Sequence, residues 1–121
     1  MFDNTPLTPF SIKVVNKLLY HQRRVRTPLV RKEDAPQRLL TYRELCEMLD
    51  RDPRQASTLT GPLACIEKWC AVNDWPNLSS IVVSESTGQP GKHYGKHAPR
   101  DDWHSDAVEC LRSTDYPMFV N

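Results

Sequence analysis

The sequence predicts a single α+β domain over residues 1–121, mostly helical and of winged-helix type: a helix-turn-helix followed by a β-hairpin wing. Three observations predict it. The helix-start signal in "TYRELCEML" is followed at once by a second in "DRDPRQAS", which reads as two short helices joined by a tight turn. A β-branched run, "SSIVVSE", comes after the helices. "STGQPGKHYG", with three glycines and a proline, then follows as a hairpin turn does.

The elements follow in order. Thr8 is the expected N-cap of the first helix and Pro9 its first residue. Phe10, Ile12, Val14, Val15, Leu18 and Leu19 form an apolar stripe at helical spacing, so this helix runs from Pro9 to about Arg23. "RRVRTPLVRKEDAPQR" has two prolines and no sustained period, and reads as a basic, irregular connection. Thr41 and Glu44 form a capping box that opens a helix over about 41–50, with Leu45, Cys46, Met48 and Leu49 toward the core. Asp52 and Pro53 open the next, over about 53–60. Pro62 is expected to kink or break it, because proline cannot donate to the preceding turn. Leu63, Ile66, Trp69 and Cys70 resume a helical stripe. A strand is expected at 79–84, with a hairpin around Gly88–Gly91 and a returning strand near His93–Gly95. "RDDWHSDAVECLR" predicts a last helix with Trp103, Val108 and Leu111 inward, and "STDYPMFVN" a short strand or a tucked end.

Composition bounds the function. A hydrophobic fraction of 39% and a charged fraction of 26% are those of an ordinary globule. No apolar run approaches the roughly 18 residues of a membrane span. "MFDNTPLTPF" lacks a basic region followed by an apolar stretch, so it does not read as a signal peptide, and the expected location is the cytoplasm. The four cysteines are then expected as reduced thiols. Cys65 and Cys70 point about 140° apart on a helix, which is poor geometry for sharing a metal. Net charge is only +1, so the placement of charge decides whether a polyanion is a partner. Arg51, Arg54 and Gln55 start the expected recognition helix. Lys92, His93, Lys96, His97 and Arg100 follow the wing turn, and Arg23, Arg24, Arg26, Arg31 and Lys32 fill the long connection. Such cations neutralise phosphates, and Gln55 is placed to read a base edge.

"TPFSIKVVNKL", "TYRELCEML", "LTGPL" and "LSSIVVSESTGQPGKHYG" together resemble the DNA-binding domain of O6-alkylguanine-DNA alkyltransferases and alkyltransferase-like proteins, over roughly residues 8–95. The resemblance implies a role for Tyr42 near DNA phosphates and for Gly88 and Gly91 in the wing. The family's Pro-Cys-His-Arg motif is missing: the corresponding stretch is "PNLSSIVV", with no thiolate to accept an alkyl group. The arginine that the family inserts into the base stack has only Ser57 or Thr58 nearby.

The expected function is therefore that of a small, non-enzymatic winged-helix protein without cofactor or metal, binding duplex DNA through Tyr42, Arg51, Arg54, Gln55, Thr58, Lys92, His93 and Lys96. A regulator, or a factor of a phage or other mobile element, fits this description. The alternative is a protein-interaction module, an inhibitor or adaptor of a host protein, with Trp69, Trp75, Trp103, Tyr94 or Tyr116 as anchors wherever exposed. Core packing is the more natural role for Trp69, which lies on the apolar stripe. A metal-dependent hydrolase using His93, His97 and His104 with Asp101 and Asp102 is less favoured, because that spacing matches no metal signature.

Overall fold

The computed structural model of the chain describes residues 2–31, 33–95 and 103–121. These contain helices α1 (Pro9–Val25), α2 (Tyr42–Met48), α3 (Thr60–Val72) and α4 (Trp103–Arg112), and two-residue strands β1 (Leu40–Thr41) and β2 (Val82–Val83). Short 3-10 turns at Ala35–Arg38, Pro53–Leu59 and Leu78–Ile81 connect them. The fold is mixed and mostly helical. Among the described residues no helix is long and apolar enough to cross a membrane.

Helix starts follow local chemistry. Thr8 caps α1 by accepting from the Ser11 N–H, and the Ser11 hydroxyl accepts in turn from the Thr8 N–H, so both orphan donors are satisfied. Thr41 and Glu44 do the same for α2. Asp52 accepts from the Arg54 N–H at the start of the Pro53–Leu59 turn. That segment is 3-10 rather than the expected α-helix. Gln55 departs from helical geometry at φ −94°, ψ 16°, and the Thr58 hydroxyl bonds back to the Gln55 carbonyl. The change of helix type falls at Thr60, so Pro62 sits in the first turn of α3. Its missing donor costs nothing there, since first-turn N–H groups have no partner within the helix.

The strand region departs further from expectation. Residues 78–81 form a 3-10 turn, because Asn77 caps it and draws the serines into local bonds. Its Oδ1 accepts from the Ser79 N–H and hydroxyl, and its carbonyl accepts from the Ser80 hydroxyl. Only Val82 and Val83 remain extended. They pair in parallel with Leu40 and Thr41, in register Leu40↔Val82 and Thr41↔Val83, instead of with a returning strand. Residues 84–95 form successive turns. Ser84 is bonded to Gln89 and Gly88, and Gly88 and Gly95 take left-handed φ values of 70° and 87°.

The core lies where α1 and α3 pack together. Val14, Val15, Leu18, Leu19, Leu63, Ile66 and Trp69 are buried there. The 78–81 turn fits between α3 and α4, with Leu78, Ile81, Cys110 and Leu111 inside. On α4, Val108 and Leu111 are buried as expected and Trp103 is half-buried. All four cysteines are free thiols, with Cys46, Cys70 and Cys110 buried. Burial pushes the thiols of Cys46, Cys70 and Cys110 up, that of Cys110 to about 12. The C-terminal end is tucked in, not a strand: Tyr116 bonds to the Pro76 carbonyl and Val120 is buried.

Candidate nucleic-acid interface

Parallel pairing sends β1 and β2 out of the same end of their ladder. Tyr42, the first residue of α2, follows β1 directly, and the 84–92 turn follows β2. The two therefore emerge side by side. The Gly91 N–H donates to the Tyr42 hydroxyl at 2.6 Å. Tyr42 in turn lies 2.9 Å from His93 Nδ1, and His93 Nε2 lies 3.1 Å from the Ser79 carbonyl. A carbonyl only accepts, so Nε2 carries a proton. In the neutral ring Nδ1 then accepts from Tyr42.

A second buried chain secures the other side. Glu67 on α3 is 1% exposed. One of its oxygens accepts from Asn77 Nδ2 at 2.9 Å and from the Gly95 N–H at 2.7 Å. The segment 91–95 is thus anchored to α2 by Tyr42, to the 78–81 turn by His93 and to α3 by Glu67. Sequence reasoning missed this network, although one signal was present. Glu67 falls between Leu63 and Cys70 at core spacing, where a carboxylate requires partners.

The anchored turn and the α2–α3 region bound two adjoining depressions of about 350 and 160 Å³. Tyr42, Arg43, Arg54 and Glu85 are among the lining of the first, and Tyr42, Ser57, Thr60 and Lys92 of the second. Tyr42 and Ala56 belong to both, so Arg54 and Lys92 flank one shallow groove. Arg54 is held by Asp52 through three contacts of 2.6–3.2 Å. This pair lowers the Asp52 carboxyl and raises the Arg54 guanidinium. Arg43 pairs with Glu85 at 2.7 Å. Both pairs are exposed and screened by solvent, so they contribute little and a phosphate can replace either carboxylate at small cost.

The expected contact residues are not all brought together. Arg51 lies away from the groove lining, with its guanidinium 4.1 Å from the centre of the Phe10 ring and one nitrogen near the Thr58 hydroxyl. Gln55 and Thr58 are exposed but line neither depression. His93 is 1% exposed and does not reach a surface ligand; it acts by holding Tyr42. Lys96 lies outside the described residues, as do Lys32, His97, Arg100, Asp101 and Asp102. His104 is exposed and stacks on Trp103. Among the described residues no group of three His, Cys, Asp or Glu is placed to hold a metal ion. Of the aromatics expected as interface anchors, Trp69 and Tyr94 are buried, and Trp75, Trp103 and Tyr116 are half-buried.

Compared with protein-family models, with curated proteins and with solved structures, the chain matches none.

Proposed function

We propose that this is a small winged-helix protein that binds duplex DNA, with the 84–92 turn as its wing and Pro53–Leu59 leading into α3 as its reading element. One observation carries the reading: the bond from Gly91 to Tyr42, which fixes the glycine-rich turn beside the helix pair so that Arg54 and Lys92 face one groove. The groove is shallow and rimmed by Arg43, Arg54, Lys92 and hydroxyls, with the Glu85 carboxylate held by Arg43, as suits a backbone that is gripped rather than a small molecule that is enclosed. The resemblance to alkyltransferase DNA-binding domains supports the same reading. Alkyl transfer is no part of this reading, since "PNLSSIVV" offers no nucleophilic thiol.

Titration with random-sequence duplex at low and moderate salt tests this. Affinity is expected to fall steeply with salt, and Arg54→Ala and Lys92→Ala each to weaken binding and to reduce the salt slope by about one per lost phosphate contact. Salt-insensitive binding, or none at low salt, overturns the proposal.

A further inference from the structure

No Asp or Glu occurs between Asp3 and Glu33, whereas Lys13, Lys17, Arg23, Arg24 and Arg26 all fall in this stretch. None of these five cations forms an ion pair among the described residues. Lys13, Lys17, Tyr20 and Arg24 are exposed and recur at spacings of four, three and four residues, which places them along one face of α1. Lys13 and Lys17 are about 6 Å apart along the axis, from a rise of about 1.5 Å per residue.

The C-terminal tail is laid along the same helix. Asn16 exchanges two bonds with the backbone of Val120, at 2.7 and 2.8 Å, and Arg23 donates to the Met118 carbonyl. Phe119 lies between these two anchors on the tail, as Tyr20 lies between Asn16 and Arg23 on the helix. Both rings are exposed, Tyr20 at 50% and Phe119 at 62%. Arg24 sits 5.6 Å from the centre of the Tyr20 ring. At the Arg23 end a cavity of about 350 Å³ opens, with Arg23, Arg26, Ser113, Thr114 and Met118 in its lining.

We propose that the exposed face of α1 and the tail fixed against it bind single-stranded nucleic acid, with Lys13, Lys17 and Arg24 on phosphates and Tyr20 and Phe119 stacked on bases. A row of unpaired cations interleaved with exposed rings is what such a strand requires, because every base has a π-face and every linkage a charge. A lipid surface fits less well. An interfacial helix inserts its apolar face, and here Val14, Val15, Leu18 and Leu19 are spent on the core at 0–1% exposure. This surface shares no residue with the Tyr42 groove and stands whether or not that groove binds duplex.

The test is fluorescence anisotropy of a labelled oligothymidylate of about 12 nucleotides at low salt. Tyr20→Ala and Phe119→Ala are each expected to weaken binding by about fivefold to a hundredfold, and Tyr20→Phe to retain it. Lys17→Ala flattens the salt dependence. Arg54→Ala/Lys92→Ala leaves oligothymidylate affinity unchanged, which separates this surface from the groove. Tyr20 and Phe119 are exposed, so unchanged melting temperatures accompany the losses. Absence of binding at low salt, or binding indifferent to both ring variants, overturns the proposal. So does a glutamate–tyrosine copolymer that binds in place of the oligonucleotide and is lost in the same variants, because it assigns the surface to an acidic protein.

Discussion

Gly91 and Tyr42 constrain each other. A Cβ built on Gly91 falls 2.7 Å from the Tyr42 hydroxyl oxygen, closer than real contacts allow, and that hydroxyl is held in place by His93. Gly91→Ala therefore has to displace the tyrosine and break two bonds, at a cost of about 1–3 kcal/mol. Tyr42→Phe removes the oxygen, so Gly91 and His93 lose that partner at a similar cost. The two changes are not additive: alanine at 91 is expected to cost less when residue 42 is already phenylalanine. Urea unfolding of the two single variants and the double variant measures the coupling. Additive losses would mean that the contact is not tight.

At the scale of elements, capping set the starts of α1 and α2 and was legible. Thr41 and Glu44 occupy both halves of the box, so Thr41→Ala is expected to destabilise by about 1 kcal/mol in thermal or urea unfolding. An unchanged midpoint would show that the cap contributes nothing. The first helix, its cap, the buried stripe and the buried Trp69 were legible for the same reason: they depend on neighbours within a few positions. Strand pairing was not. "SSIVVSE" has β-branched residues, but Asn77 lies outside that run, and its side chain captures Ser79 while its backbone carbonyl captures the Ser80 hydroxyl. Nor does local pattern specify that Val82 pairs with Leu40. Tyr42, Arg54 and Lys92, expected from charge and resemblance, line the groove. Arg51 was misplaced because the Phe10 ring that it covers is remote in sequence. The burial of His93 was hidden because both its partners, Tyr42 and Ser79, are also distant.

Across the whole molecule, burial of sulfur and phenol groups is expected to lower stability at alkaline pH. Burial raises Cys110 from 9.0 to about 12, and Cys70 and Tyr116 shift in the same direction. A raised folded pKa means that the contribution is complete below 9.0 and is lost as pH rises from there toward 12, because the unfolded thiol ionises first. The urea midpoint is therefore expected to decline above that pH, and to decline less steeply in Cys110→Ala. An equal decline in the variant would place the effect elsewhere.

The β1–β2 ladder also governs the order in which the groove is assembled. Its partners lie about 40 residues apart, so closing it confines the entire intervening chain for the return of only two paired residues. Such a contact is a poor nucleus for folding, and is expected to form after α1 and α3 have brought the ends near. During synthesis, the residues of α2 are made before Val83, so Tyr42 waits without Gly91 until the turn emerges. The groove is thus expected to be a late product of folding, completed only in chains that have already packed their core.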